Sequence, residues 1–326
     1  MTQQLTLPEG FAYPALNRTI AAQDTMYDGR DEHYLVVGAS ALACIRAALR
    51  GKAPSRILDL PCGYGRVTRF LRAAFPRAAI TACDLERDGV DFCAATFGAE
   101  PIYSTEDLAR LQLPRRFDLI FVGSLITHLS VAQTQALLDR LGAALAPGGV
   151  IVASAHGPSI ADGLREWGYG IEKPDAARIL RDFGETGYGH CGYGGGAGYG
   201  ISLSDRLFWA QFFAKGRLEL VSYDAQGWDQ HQDILVLRRR DVIARLRARR
   251  RLAELRDAEA LLAVRRAASA HDAQLAAFDG AAYLRRNPDV AAAVSAADFS
   301  SAFAHYWERG RFEGRSGAPS TENEPN

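Results

Sequence analysis

The chain has 326 residues, 48% of them hydrophobic, enough to bury a full core and to form more than one folded unit. Lys plus Arg and Asp plus Glu both total 38, so no net charge draws it to nucleic acid or to an anionic membrane, and no nucleic-acid partner is expected. The five cysteines (Cys44, Cys62, Cys83, Cys93, Cys191) form no C-x-x-C pair, which argues against a disulfide framework or a bound metal and fits a reducing cytoplasm. No charged-then-apolar leader opens the sequence, and no apolar run approaches the roughly 20 residues of a membrane span.

The first predicted element is an amphipathic helix ending "QDTMYDGRDEHYLVVGASALACIRAAL" (23–49). Short apolar runs then alternate with helical stretches. "RILDL" (56–60) precedes a helix in "RVTRFLRAAF", and "AITACD" (79–84) precedes one in "DGVDFCAATFG". "EPIYS" (100–104) and "FDLIFVG" (117–123) follow. A helix over "VAQTQALLDRLGAAL" starts with a capping box from Ser130 to Gln133, stops at "APGG", and leads into "GVIVASA" (149–155). This alternation predicts an α/β fold with a parallel sheet covered on both faces.

A long interruption over 157–207 comes next. Its stretch "ETGYGHCGYGGGAGYG" (185–200) is dense in glycine and interleaved with Tyr188, Tyr193 and Tyr199. It reads either as a loose surface loop or, given its place at the ligand edge of the sheet, as a lid that excludes water. His190 and Cys191 lie there without further ligands at metal spacing. The runs "RLELVSYD" (217–224) and "DILVLRR" (233–239) are too close for a crossover helix, so the last strand is expected to be antiparallel. The first domain is thus expected to span 1–239. Ala, Arg and Leu dominate 240–276, a solvated linker helix and a route to self-association. Residues 277–317 read as a small helical accessory module, and 318–326 as a disordered tail.

The chemistry centres on "ILDLPCGYGRVTRFL" (57–71). A strand ending near Asp59, a turn containing Gly63 and Gly65, and a helix start present backbone amides to a ligand. Asp84, ending the next strand, stands where a carboxylate can take both hydroxyls of a ribose. Residues 56–156 and 217–239 resemble the class I S-adenosylmethionine-dependent methyltransferases, whose acid-x-Gly-x-Gly-x-Gly turn is matched from Asp59 to Gly65 with Pro61 in place of the first glycine. The resemblance implies a Rossmann-like seven-stranded sheet in the order 3-2-1-4-5-7-6 with strand 7 antiparallel. It also implies S-adenosyl-L-methionine as cofactor, with Gly63 and Gly65 beside it, Asp59 serving its amino-acid end and Asp84 holding its ribose. Of Glu106 and Asp107, Asp107 is the candidate for the adenine, and Ser124 joins the cofactor set. A dehydrogenase turn would need glycine at position 68, where Thr68 stands.

Ligands in open α/β sheets lie beyond the carboxyl ends of the strands. The segments after strands 4 and 5, and the link between the last two strands, therefore supply the acceptor side. His128 and His156 are the candidate bases, and Trp228, Asp229 and His231 the candidate acceptor-binding residues. Tyr34 joins them from the 23–49 segment, which resembles one that often covers the cofactor in these enzymes, with core packing an equal reading. The plain alternative for His128 is a loop buttress. The expected activity is methyl transfer to the oxygen or nitrogen of a small molecule or glycan. The saccharide option comes from a resemblance of "YLRRNPDV" and "HYWERGRFEGR" to units of bacterial cell-surface and glycan-assembly proteins. The competing class is a non-catalytic scaffold with a cofactor fold.

Overall fold

The structure, a computed structural model, describes residues 16–196, 198–240, 277–296, 301–310 and 313–317. Residues 241–276 of the predicted linker helix (240–276) and the tail (318–326) lie outside the described residues. The chain divides into two compact units, Met1–Leu246 and Arg247–Asn326.

In the first unit, five parallel strands are laid down in turn: β1 (Arg56–Leu60), β2 (Ala79–Asp84), β3 (Glu100–Tyr103), β4 (Phe117–Val122) and β5 (Leu145–Ala155). Three helices lie between or before them: α1 (Asp31–Leu49), α2 (Thr68–Ala74) and α3 (Arg87–Phe97). A fourth, α4 (Val131–Ala144), leads into β5, and its capping box forms as the sequence predicts. The Gln133 amide donates to Ser130 Oγ at 3.3 Å, and the Ser130 amide donates to Gln133 Oε1 at 2.9 Å. Central strands buried on both faces need apolar side chains throughout, and Ile57, Leu58, Leu119 and Ile120 are all fully shielded. α1 is the one described helix with the length and hydropathy of a membrane span, yet Leu42 and Ile45 on it are packed into the protein core.

Two final strands, β8 (Leu218–Trp228) and β9 (Gln232–Arg239), complete a seven-stranded sheet in the order β3-β2-β1-β4-β5-β9-β8. β9 runs antiparallel to both neighbours, with Ala153 opposite Leu235. This is the expected order, with β8 and β9 as the sixth and seventh strands of the sheet. The turn joining them is tied to α1 at three places. Trp228 Nε1–H donates to the Val37 carbonyl at 3.0 Å, the Asp229 amide to Ser40 Oγ at 3.0 Å, and Cys44 Sγ to the Gly227 carbonyl at 3.1 Å.

The segment after β5 is a folded insertion, not a loose loop. It contains α5 (Ala161–Glu166), α6 (Lys173–Thr186) and a hairpin of β6 (Tyr188–Gly192) with β7 (Gly200–Ser204), and α7 (Arg206–Phe212) then leads to β8. Ile160, Leu164, Ile179, Ile201 and Leu203 form its own small core. Its glycines serve close packing: a Cβ on Gly189 would stand 2.0 Å from the Ile179 carbonyl oxygen, and one on Gly200 1.9 Å from that of Cys191.

In the second unit, helices over Gly280–Arg286, Pro288–Ser295 and Ala302–His305 surround Tyr283, whose hydroxyl lies 3.0 Å from His305 Nδ1. Arg315 closes the module through ion pairs to Asp289 at 2.9 Å and Glu313 at 2.6 Å.

Candidate active site

The glycine turn stands where β1 ends. Asp59 is 1% exposed, and the Thr68 hydroxyl donates to its Oδ2 at 2.6 Å. Its Oδ1 is buried with no partner. Burial pushes the carboxyl up to about 7, against the pull of the Thr68 hydrogen bond and with a further push from Asp84. A ligand cation or water reaching Oδ1 would satisfy the orphaned atom.

The two glycines have different physical reasons. Gly63 has φ +48°, and nothing lies within 4 Å of where its Cβ would be, so the turn is open on that face. Gly65 has φ +80°, but a Cβ there would stand 2.3 Å from the Phe97 ring. It is therefore required for packing against α3, not for access. Asp84 fastens the turn: its Oδ2 accepts from the Gly63 amide at 2.8 Å and its Oδ1 from the Glu86 amide at 3.0 Å. Each oxygen keeps a second lone pair for a ligand hydroxyl. Asp107 is exposed and caps a short 3₁₀ turn, accepting from the Ala109 amide at 3.1 Å.

Ser124, two residues beyond the end of β4, has φ +56°, an uncommon backbone for serine. A closed set of hydrogen bonds holds it there. Its amide donates to Ser154 Oγ at 2.7 Å, Ser154 Oγ donates to Gln232 Oε1 at 2.7 Å, and Gln232 Nε2 donates back to Ser124 Oγ at 2.9 Å. The ring ties together the ends of β4, β5 and β9. Sequence reasoning missed Ser154 and Gln232, because one polar residue at a strand end carries no pattern.

The acceptor candidates separate into two groups. Tyr34 is 1% exposed; its hydroxyl donates to Asp24 Oδ2 at 2.5 Å, and the Arg69 guanidinium lies 5.1 Å above its ring. Trp228 is 4% exposed and packs edge-on to Phe121 at 5.5 Å. Both are core anchors, so the structure does not bring them to the acceptor. Asp229, half-buried in the β8–β9 turn, is held through its amide to Ser40.

The three histidines do come together. The ring of His156 lies 6.2 Å from that of His128 and 6.0 Å from that of His231. His128 ends a 3₁₀ turn after β4 and places Nδ1 2.6 Å from the Gly200 carbonyl, while His156 places Nδ1 3.2 Å from the Ser202 carbonyl. A carbonyl only accepts, so both imidazoles carry their proton on Nδ1 and a lone pair on Nε2. Gly200 and Ser202 are two apart on β7, so their carbonyls leave the same strand edge, the one not paired with β6. Burial lowers His128. Burial, followed by the neighbouring His128 and His231, brings His156 down to about 3. Desolvation also lowers His231, with Asp229 opposing it. The site therefore holds neutral imidazoles.

A seven-stranded sheet with one antiparallel strand, and an acid-flanked glycine turn at its carboxyl edge, define a Rossmann-like domain of the class I S-adenosylmethionine-dependent methyltransferase type. Residues 58–151 match the sequence profile of a family described as "Methyltransferase domain". The malonyl-[acyl-carrier protein] O-methyltransferase of Bacillus cereus is 29% identical over 119 residues, 36% of this chain and 44% of that protein. The trans-aconitate 2-methyltransferase of Methylobacterium nodulans is 32% identical over 133 residues, 39% of this chain and 48% of that one. The chain thus spans less than half the length of these curated relatives. Among solved structures, the Bradyrhizobium japonicum N-methyltransferase NodS with S-adenosyl-L-homocysteine is similar at 18% identity and a TM-score of 0.44, covering 70% of this chain and 98% of that one. Human N-acetylserotonin methyltransferase is similar at 17% identity and a TM-score of 0.43, covering 64% and 53%.

Proposed function

We propose that the protein transfers a methyl group from S-adenosyl-L-methionine to a hydroxyl of a small molecule or saccharide, with His128 as general base, and that it works in the cytoplasm. The observation that carries this reading is the Nδ1–H bond of His128 to the Gly200 carbonyl, which leaves its Nε2 free to take a proton. The bound cofactor supplies an activated methyl on sulfur. Asp59 Oδ1 would meet its ammonium group, the open face of Gly63 would admit it, and the remaining lone pairs of Asp84 would hold its ribose hydroxyls. Asp107 and Ser124 are the remaining candidates to line it. His156 carries the same tautomer as His128 but is more deeply shielded, so it serves better as a hydrogen-bond acceptor that orients the substrate. His231 and Asp229 stand at the rim for acceptor contacts. Alignment of donor and acceptor can itself contribute ~7 kcal/mol or more to the rate.

Calorimetry with S-adenosyl-L-homocysteine tests the cofactor half. Asp84→Asn is expected to weaken binding by ~10-fold or more, from losing a charge-assisted bond worth about 1.5–3 kcal/mol. Unchanged affinity would place the ribose contact elsewhere, and preferential binding of NAD would overturn the cofactor assignment. Transfer of label from methyl-labelled cofactor into fractionated cell extract tests the activity itself.

A further inference from the structure

The insertion also brings exposed aromatic faces to the edge where the histidines meet. Trp167 is 74% exposed and stands edge-on to Tyr169, with centroids 6.4 Å apart. Tyr169 takes a left-handed backbone (φ 48°, ψ 38°) between Gly168 and Gly170, which also have positive φ. A tyrosine held in that region is strained, so something must hold it there. The turn brings its ring 5.9 Å from His156 and 6.2 Å from His231. On the other side of the histidines, Tyr199 is 53% exposed and stacks on His128 at 4.7 Å and 20°, with Tyr193 6.1 Å beyond. Two banks of aromatic faces therefore flank the imidazoles.

Among the described residues, no Lys or Arg side chain lies over the rings of the three histidines or of Tyr169, Tyr193 and Tyr199; those over aromatic rings lie over Tyr34, Phe97 and Tyr103. The charges that reach them are carboxylates, Asp229 at His231 and Asp84 at Tyr199. Flat π faces accept the apolar face of a ring, and a lone pair on Nε2 accepts a hydroxyl proton. With S-adenosyl-L-homocysteine, which lacks the sulfonium of the methyl donor, an anion would meet no cation at these rings and would be repelled by Asp84 and, partly offset by Arg66, by Asp229.

Resting on the reading of this edge as the acceptor site, we infer that the aromatic banks of the insertion select an uncharged, hydroxyl-bearing ring as acceptor and reject carboxylates. A phenolic ring and the face of a pyranose share this chemistry. Trp167 and Tyr199 are the specificity-determining residues, since both are largely exposed and neither supports the core.

The test follows tryptophan fluorescence of the full chain, with and without S-adenosyl-L-homocysteine, during titration with phenol, methyl β-D-glucopyranoside, benzoate and trans-aconitate. At least one neutral ring is expected to bind ~10-fold or more tightly than either carboxylate, and which one binds distinguishes the aromatic from the saccharide source. Trp167→Ala, followed by an extrinsic competition readout, and Tyr199→Ala are each expected to weaken that ring ~5-fold or more while leaving S-adenosyl-L-homocysteine affinity unchanged. Binding of neither neutral ring, equal or tighter binding of a carboxylate, or wild-type ring affinity in both variants would overturn the inference. Loss of cofactor binding alone would count against the methyl-donor reading instead, because the titration without it still reports on the ring site.

Discussion

Asp59 and His156 pull the stability of the apoprotein in opposite directions as pH changes. Asp59 is raised from 3.8 to about 7 in the fold, so between those values the unfolded chain has released a proton that the native state retains. Stability from this group is full below pH 4 and is lost as pH rises towards 7. His156 is lowered from 6.5 to about 3, so its contribution is full above 6.5 and is lost as pH falls below that value. Asp59→Asn is therefore expected to raise the apoprotein Tm at pH 8 by ~5 °C relative to its effect at pH 4, measured by scanning calorimetry. An equal change at both pH values would show that burial of the charge is not the cause. His156→Gln is expected to flatten the loss of stability between pH 6.5 and 4. For catalysis, His128→Ala should lower turnover ~100-fold or more with cofactor affinity unchanged. Because burial lowers His128, activity on a hydroxyl acceptor should persist somewhat below pH 6.5 before falling. Full turnover in this variant would mean catalysis by alignment, or an amine acceptor that arrives unprotonated.

The insertion is the element on which the acceptor site depends. The Ser204 amide donates to the His156 carbonyl at 2.9 Å, so the chain leaves the sheet and returns at almost one point. Replacing residues 158–203 with a short Gly-Ser linker is therefore expected to leave a folded protein with cofactor affinity within about two-fold of the parent. Turnover should fall ~100-fold or more, because both carbonyl clamps on the histidines go with β7. Loss of cofactor binding in that variant would show that the insertion supports the glycine turn as well. Sequence reading found the strands of the main sheet because "FDLIFVG" and "GVIVASA" are apolar runs bounded by helices, and it found α4 because its cap is a local signal. It did not find the β6–β7 hairpin. In "YGHCG" the glycine looks like freedom, and only the approach of Ile179 reveals that it is a packing requirement. Position relative to the sheet brought out His128, His156 and His231, whereas Trp167 and Tyr169 give no signal without the turn that aims them. Tyr34, for which core packing is an equal reading, and Trp228 are hard to place from sequence for a related reason, and both are buried. An aromatic near a ligand edge reads the same whether its polar atom meets a substrate or, as with Trp228, the carbonyl of Val37.

At the scale of the whole molecule, the first unit contains every strand of the large sheet and runs to Leu246. Truncation after Leu246 is expected to leave its Tm within about 2 °C and its S-adenosyl-L-homocysteine affinity unchanged, checked by calorimetry. A truncated chain that fails to fold would make the remaining residues part of the core. The place of β9 has a consequence for biogenesis. It is the last strand of the sheet to be synthesised, yet it lies between β5 and β8 rather than at an edge. From the time β5 emerges from the ribosome until Arg239 follows, β5 offers an unpaired row of amides and carbonyls beside fully apolar faces, a template for pairing with another chain. The nascent protein should therefore depend most on chaperones in that window, and in vitro refolding should be slow because the closing contacts, from Trp228 to Val37 and from Asp229 to Ser40, join distant parts of the chain. A fragment ending before Leu218 is expected to bind hydrophobic dye and aggregate, while one ending at Leu246 remains monodisperse.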